Sequence, residues 1–275
     1  NMLAELTTYA AYTYVLLGEG MCQMTVDNGP LITRDSTFKI AVAKFTEALS
    51  LAQTAKYASM TNMALVGRAR AELDLGNLAA AKADAQAVPA GFVRNAEYSE
   101  TTVSRENRIY NLTIRNDFIS VGPDYRGLTV GGVPDPRVPV LNTGRFGNDA
   151  VTPQWQQRKY IGSGAVPMPI ASWAEAQLIY AEAAGGQEAK DAINRVRASR
   201  GVAPLDGSEG SDIEAIVLEE RRRELFSEGQ RLGDMLRMNI PFPSGVNHKG
   251  QTYGPTTCAP LPDVETQNNP NLRGS

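Results

Sequence analysis

The charged stretch from Glu219 to Arg237, EERRRELFSEGQRLGDMLR, limits what this chain can fold into more than any other segment. Drawn as a helix, it carries acidic and basic side chains around most of its circumference and one apolar stripe of leucines. Glu219 and Glu220 precede Arg223 by four and three residues, and helical side chains at these spacings can pair. Composition alone favours a salt-bridged helix on the protein surface. The alternative is that arginine–carboxylate pairs lock the helices together, since arginine presents a rigid fork that matches a carboxylate. The carboxylates expected to pair with arginine in this way are Glu175, Glu182, Glu224, Glu228 and Asp234.

Three segments fit one helix–turn–helix template in which small residues stand where the helices cross. In 65–89, Leu75-Gly76-Asn77-Leu78 forms the turn, and alanines on both sides of it allow the backbones to approach closely. The N-terminal segment fits with a longer loop at Asp27-Asn28-Gly29-Pro30. The third pair runs from Ser172 to Ser199 and turns at Gly185-Gly186. This pattern predicts an all-α fold, a tetratricopeptide-like scaffold of helix pairs.

Residues 91–170 lack a helical period and are rich in Gly, Pro, Asn, Asp and Thr, which is typical of turns and irregular chain. So long an irregular segment inside a compact protein is usually functional or poorly ordered. We therefore predict helix pairs in 1–90, an irregular, loop-rich ligand subdomain in 91–170, and the third pair, the charged helix and a loop-like tail in 171–275. The last segment is expected to pack with 1–90 as one domain.

Composition narrows the class of protein. The chain has 275 residues, of which 42% are hydrophobic, and a net charge of −3, as in a soluble globular protein and unlike a nucleic-acid-binding one. Its apolar runs fall short of the ~20 residues that cross a membrane as a helix. Cys22 and Cys258 are far apart, and nothing in the sequence indicates that they meet. Two isolated thiols are the default expectation, with a disulfide in an oxidising compartment as the alternative.

The charged stretch resembles the signature near the C-terminus of the SusD/RagB family, the surface glycan-binding lipoproteins of bacterial nutrient uptake systems. The matching residues are Glu220, Arg221, Arg222, Glu224, Leu225, Glu228, Gly229, Arg231, Asp234 and Arg237. Four further elements are similar to family elements in the same order: Asp135-Pro136-Arg137, 174–183, 192–197 and Asn269-Pro270-Asn271-Leu272. Within the stretch, Gly229 is expected to end a helix in the left-handed conformation.

The resemblance implies a non-catalytic protein that binds an oligosaccharide or similar nutrient and delivers it to a TonB-dependent, SusC-like transporter. It also implies the cell-surface side of the outer membrane, reached through a lipid anchor. The family's lipidated N-terminal cysteine has no counterpart in residues 1–275, so the anchor is implied by the resemblance alone. Neither a nucleic acid nor a cofactor is expected as a partner.

The sequence offers little catalytic chemistry. Its single histidine, His248, is incompatible with multi-histidine metal sites, and the chain has neither a P-loop nor a dinucleotide-binding glycine motif. Sugar binding needs flat aromatic faces for the ring and planar polar side chains for the hydroxyl groups. The candidates in the irregular region are Trp155, Tyr160, Tyr125, Arg126, Asn142, Tyr110, Phe146 and Gln156. For each aromatic residue alone, the alternative role is to anchor the subdomain to the scaffold.

Two other functions are compatible with the sequence. A helical-repeat scaffold would bind a peptide or protein in a concave groove, and its binding would survive deletion of 91–170. A glycan-cleaving enzyme would need two carboxylates on a common edge, and the 30 acidic residues include no recognisable pair.

Overall fold

The structure is a computed structural model that describes residues 1–272. Its helices are α1 (Met2–Gly20), α2 (Arg34–Thr54), α3 (Ala58–Asp74), α4 (Leu78–Gln86), α5 (Arg108–Tyr110), α6 (Trp173–Ala184), α7 (Gly186–Ser199), α8 (Ile213–Glu224), α9 (Arg231–Arg237) and α10 (Asp263–Asn268). Its strands are β1 (Val93–Ala96), β2 (Thr129–Val130), β3 (Val133–Pro134), β4 (Val140–Phe146), β5 (Pro153–Gln157) and β6 (Met168–Ser172). About 49% of the chain is helical, and the strands of the described residues form only two-stranded sheets. The predicted all-α class is confirmed.

The chain divides into two compact units. Unit 1 comprises residues 1–92, 232–242 and the described part of 255–275, and unit 2 comprises 93–231 and 243–254. The predicted packing of all of 171–275 with 1–90 stays a prediction, and in the structure 171–231 belongs to unit 2. Within residues 1–272 no helix is both long and apolar enough to cross a membrane.

Unit 1 is built on the first two predicted helix pairs, and both are confirmed. Helix α1 packs against α2 and α3, α2 against α3, and α3 against α4. A Cβ atom on Gly67 of α3 would lie 2.2 Å from the ring of Phe45, so only glycine fits this crossing. Tyr12 packs edge-on against Phe45, with ring centroids 5.1 Å apart, and its hydroxyl donates to the carbonyl oxygen of Met63. The template therefore needs small residues because aromatic rings fill the space between its helices.

The C-terminal tail of unit 1 is fastened to the loop that follows α1. Cys22 and Cys258 form a disulfide with their Cα atoms 5.1 Å apart, so the expectation of two isolated thiols is wrong. The amide of Cys22 donates to the carbonyl oxygen of Ala259 at 2.9 Å. Asn269 donates from its side chain to the carbonyl oxygen of Gly29, also at 2.9 Å. The tail thus has few helical residues of its own and is held by a covalent bond and hydrogen bonds.

The end of the charged stretch lies in unit 1, in a buried cluster of three carboxylates and two arginines. Arg70 pairs with Glu19 at 2.5 Å, and Arg237 pairs with Asp74 at 3.4 Å and with Asp234 at 3.0 Å. Burial raises the pKa of Asp74 well above its usual value. The negative charges of Glu19 and Asp234 raise it further, against the effect of the two arginines.

Unit 2 contains the third predicted helix pair, α6 and α7, which is confirmed. The pair turns at Gly185-Gly186, and α8 packs against both of its helices. Ser172 begins α6, because its side-chain oxygen accepts a hydrogen bond from the amide of Glu175. Strand β6 leads into this helix and pairs antiparallel with β1, whereas β4 and β5 form a separate antiparallel hairpin.

The charged stretch forms two helices with a turn between them. Helix α8 ends at Glu224, where the buried side chains of Leu225 and Phe226 follow, and α9 begins at Arg231. Gly229 has the predicted left-handed backbone, with a φ of +81°. It lies within the turn, so the prediction that it ends a helix is wrong.

Candidate functional site

Three of the elements that resemble the family meet at the carboxylate of Glu220 on α8. Arg137 donates to Glu220 Oε2 at 2.6 Å, and Arg197 donates to Glu220 Oε1 at 2.7 Å. Arg137 also binds both carboxylate oxygens of Asp135, at 2.9 and 2.8 Å. Glu220, Arg137 and Arg197 are at most 4% exposed. The interpretation of the charged stretch as an internal lock is confirmed, and the surface-helix interpretation is wrong.

Pairing along α8 follows only part of the predicted pattern. Glu219 pairs with Arg223 at 2.6 Å as predicted, but Glu220 does not, because its carboxylate faces the two arginines described above. Arg223 reaches Asp135 at 3.1 Å. Burial alone would raise the pKa of Asp135, but hydrogen bonds from Arg137 and Arg223 outweigh burial and lower this pKa to about 2. Asp135 is therefore ionised at neutral pH, and the neighbouring arginines balance its charge.

The other arginines of α8 also have partners inside unit 2. Arg221 lies 3.6 Å from Glu182 of α6. Arg222 donates to Glu219 at 2.7 Å and to the carbonyl oxygen of Asp124 at 2.6 Å. These contacts fix α8 on two sides.

The signature residues at the end of α8 and after it differ in their partners. Glu224 accepts a hydrogen bond from Arg200 at 2.8 Å, as the arginine–carboxylate prediction requires. Glu228 pairs with Lys159 at 2.7 Å, so the prediction of an arginine partner is wrong there. The ammonium group of Lys159 donates to both the Glu228 carboxylate and the carbonyl oxygen of Glu224, so a lysine is the cationic partner of Glu228. Arg231 is half-buried and forms no ion pair with the described residues.

Two of the predicted sugar-binding residues, Trp155 and Arg126, lie in contact. The Arg126 guanidinium lies over the indole ring of Trp155, 4.8 Å from the ring centroid. It donates to the carbonyl oxygen of Val121 at 2.9 and 2.7 Å and forms no ion pair with a described carboxylate. Trp155 is half-buried against the apolar core that contains Val121, Val138 and Phe226.

Tyr125 and Asn142 lie beside this pair. Tyr125 packs against the same apolar core, with its ring centroid 5.1 Å from that of Phe226, and the Arg222 guanidinium lies 4.9 Å from the Tyr125 centroid. Asn142 is exposed and stands opposite Trp155 in the β4–β5 hairpin. The structure thus brings together Trp155, Arg126, Tyr125 and Asn142, which we call the Trp155 surface.

The remaining candidates lie elsewhere in unit 2. Tyr160 is buried, and its hydroxyl donates to Glu228 at 3.1 Å, which fits the alternative role of an anchor. Burial raises the pKa of Tyr160, and the charge and hydrogen bond of Glu228 raise it further. Gln156 is buried, Tyr110 is half-buried, and Phe146 is 61% exposed near the tip of the β4–β5 hairpin.

Residues 243–254 are attached to the tip of this hairpin, a contact that no sequence pattern indicates. Lys249 pairs with Asp149, and His248 Nε2 lies 2.8 Å from Thr152 Oγ1. Within the described chain, no three His, Cys, Asp or Glu side chains are placed to hold a metal ion.

Comparison with known families gives a match to the model of the SusD family over residues 54–273. No curated protein matches the chain.

Several solved structures share the fold. A SusD-like carbohydrate-binding protein from Bacteroides fragilis is 18% identical, with a TM-score of 0.66 over 99% of this chain and 79% of that one. Surface glycan-binding protein A from Bacteroides thetaiotaomicron, solved with laminarihexaose, is 13% identical, with a TM-score of 0.64 over 98% and 77%. A chitin-binding SusD homolog from Flavobacterium johnsoniae is 14% identical, with a TM-score of 0.55 over 86% and 70%.

Proposed function

The chain belongs to the SusD family, and we propose that it binds an oligosaccharide without cleaving it and presents it to a TonB-dependent outer-membrane transporter. Two of its structural relatives are named for binding glycans. One is a surface glycan-binding protein solved with laminarihexaose, and the other is a chitin-binding protein. Family membership and these relatives support a glycan ligand.

We place the oligosaccharide on the Trp155 surface, and the state of Arg126 is the observation that carries this assignment. The arginines of α8 are neutralised by carboxylates, but Arg126 is held over Trp155 by a main-chain carbonyl oxygen alone. Its Nη1 hydrogens and the exposed amide of Asn142 can therefore donate to sugar hydroxyl groups. The edges of the Trp155 indole and of the Tyr125 ring offer apolar surface for the C–H groups of a sugar, beside polar donors, as carbohydrate sites do.

Two further observations support a cell-surface location of the protein and a transporter as its partner. A disulfide persists in oxidising compartments such as the periplasm and the cell surface, so the Cys22–Cys258 bond supports an extracytoplasmic site of action. Helix α1 exposes Leu3, Leu6 and Leu16, each at least 58% accessible, and exposed apolar side chains of this kind suit a protein–protein contact. We propose that unit 1 faces the transporter and that a lipid anchor holds the protein at the outer surface.

The proposal is tested by isothermal titration with laminari- and chito-oligosaccharides, together with an assay for new reducing ends. We expect binding without new reducing ends. Trp155→Ala should weaken binding about tenfold or more, because truncated aromatic residues at the centre of a binding site commonly cost at least that much.

Tyr110→Ala is the matched control, because it removes another half-buried aromatic side chain of unit 2 outside the Trp155 surface. Arg126→Met keeps the packing on Trp155 and removes the hydrogen-bond donors, and it should also weaken binding. Full affinity in both the Trp155 and Arg126 variants would refute the assignment of the oligosaccharide to the Trp155 surface. Turnover of the glycan, or binding of peptides only, would refute the function.

A further inference from the structure

Unit 2 contains a cleft that shares no lining residue with the Trp155 surface and that is lined by Tyr160 among the predicted sugar-binding residues. The cleft has a volume of ≈ 380 Å³, within the range of small-ligand sites. Asn95 of β1 and Pro169 of β6 line one part of it, and Glu224 and Glu228 of the signature line another. We call it the proline cleft.

The apolar part of the cleft lining consists of Pro136, Val166, Pro167 and Pro169. Proline rings fix their own backbone angle and carry no N–H group, so these residues present C–H surface in a fixed position. Such a surface suits the C–H face of a pyranose ring.

The polar side of the cleft has free hydrogen-bonding capacity and little net charge. The Lys159 ammonium uses two of its three hydrogens, on Glu224 O at 2.6 Å and Glu228 Oε1 at 2.7 Å. Arg200, whose side chain is 46% exposed, binds Glu224 through Nε and Nη2 and keeps its Nη1 hydrogens free. The side-chain amide of Asn95 makes no hydrogen bond with the described residues. Arg137 also lines the cleft, but its charge is balanced by Asp135 and Glu220. Lys159 and Arg200 therefore face Glu224 and Glu228, and both donors and acceptors remain unused.

Glu224 is one of several described residues with a buried polar atom that lacks a hydrogen-bond partner, and it is the one that lines this cleft. Its side chain is 3% exposed, and its Oε2 has no hydrogen-bond partner among the described residues. A buried carboxylate oxygen normally accepts at least one hydrogen bond, and a hydroxyl group is a donor of the kind that this one lacks.

We propose that the proline cleft binds a single neutral pyranose, with its C–H face on the prolines and its hydroxyl groups on the polar side. The balance of charge disfavours an ionic ligand, because an anion would meet the two glutamates and a cation would meet Lys159 and Arg200. The proposal does not depend on oligosaccharide binding at the Trp155 surface.

The test is a ligand-observed NMR titration of the 275-residue chain with the methyl glycosides of glucose and N-acetylglucosamine. A dissociation constant of about 1–10 mM is expected for a ligand of this size. Val166→Phe places a ring in the cleft and removes no side-chain hydrogen bond, since Val166 takes part only through its main chain. It should weaken binding about tenfold or more, as filling a small site excludes its ligand.

Ile161→Phe is the matched control, because it adds a ring at an exposed aliphatic residue outside the cleft lining. It should leave the affinity unchanged. The proposal is overturned if neither glycoside binds saturably, or if Val166→Phe binds like the unmodified chain. Loss of monosaccharide binding in Trp155→Ala would overturn it as well, since the sugar would then lie on the Trp155 surface. So would competition by methylammonium at similar affinity, which would make the cleft a cation site.

Discussion

Replacing Glu220 by glutamine tests whether the charged network of unit 2 is what holds this unit together. The network contains four arginines and four carboxylates joined by ion pairs: Arg137, Arg197, Arg222 and Arg223 with Asp135, Glu209, Glu219 and Glu220. The substitution keeps the size of the side chain and leaves one positive charge in excess at a site that is 2% exposed. Removing one partner of a buried pair costs about 3–5 kcal/mol, because the charge that remains is desolvated and unpaired.

The assay is urea unfolding followed by tryptophan fluorescence. The chain has two tryptophans, Trp155 and Trp173, and both lie in unit 2, so the signal reports the unit that contains Glu220. With a denaturant dependence of about 2–3 kcal/mol per molar urea, the loss corresponds to a shift of the midpoint by about 1–2.5 M.

Glu219→Gln is the matched control, since the same substitution one residue earlier affects a side chain that is 38% exposed. Exposed ion pairs contribute about 0–1 kcal/mol, so the control should shift the midpoint by less than half a molar. Equal effects of the two substitutions, or a loss below about 1 kcal/mol for Glu220→Gln, would refute the claim that burial decides the energetics. Glycan affinity of the folded variant should match that of the unmodified chain, because Glu220 faces only other protein groups.

Two further predictions concern unit 1. Replacing Cys22 and Cys258 by serine, or reducing the disulfide, should destabilise the protein by about 2–5 kcal/mol, because the bond closes a loop of 236 residues in the unfolded chain. Thermal unfolding with and without reductant measures this loss, and an unmodified chain that melts at the same temperature in both conditions contradicts it. The pKa of Asp74 is raised in the folded state. The protonated carboxyl group therefore contributes to the stability of the folded state fully below the ordinary pKa of 3.8. This contribution to stability is lost as the pH rises through the raised pKa. Asp74→Asn should therefore gain stability relative to the unmodified chain as the pH increases, and parallel stability–pH curves for the two proteins would show that the carboxyl group does not titrate in this way.

The helix pairs could be predicted from sequence because their causes are local. Small residues recur at helical spacing, and Gly67 marks a crossing where the ring of Phe45 excludes any side chain. The turns at Gly76 and Gly185 both have positive φ angles, which the turn signals in the sequence anticipate.

The disulfide could not be predicted, and composition alone assigns the charged stretch to the surface, because the contacts of both are remote in sequence. Glu220 takes its partners from residues 83 and 23 positions away, and the cysteines are separated by 236. A periodic pattern of charges on one helix is the same whether that helix faces water or a second charged element. Composition therefore favoured the surface, and the structure overrules it.

In the candidate site, too, the chemistry of single residues can be predicted from the sequence, whereas their contacts cannot. The sequence indicates Trp155 and Arg126 separately, but their contact depends on the Val121 carbonyl oxygen that holds the guanidinium in place. Tyr160 has the same chemistry as Tyr125, but its hydroxyl finds Glu228 in the interior. The sequence does not indicate the proline cleft, because Pro136, Pro167 and Pro169 are typical of loops, whereas in the structure they line the cleft together with Tyr160.

This division explains why the family can be identified from the sequence while the ligand cannot. The elements that carry the resemblance contribute Arg137, Arg197 and Glu220, which bind one another in the interior of unit 2. Such a network tolerates few alternatives, because each charge left without its partner is costly when buried. The Trp155 surface meets solvent, where one aromatic or polar side chain can replace another without unfolding the protein. Its residues are therefore a different set from those that specify the fold, and they leave no motif, whereas the proline cleft takes Glu224 and Glu228 from the signature itself.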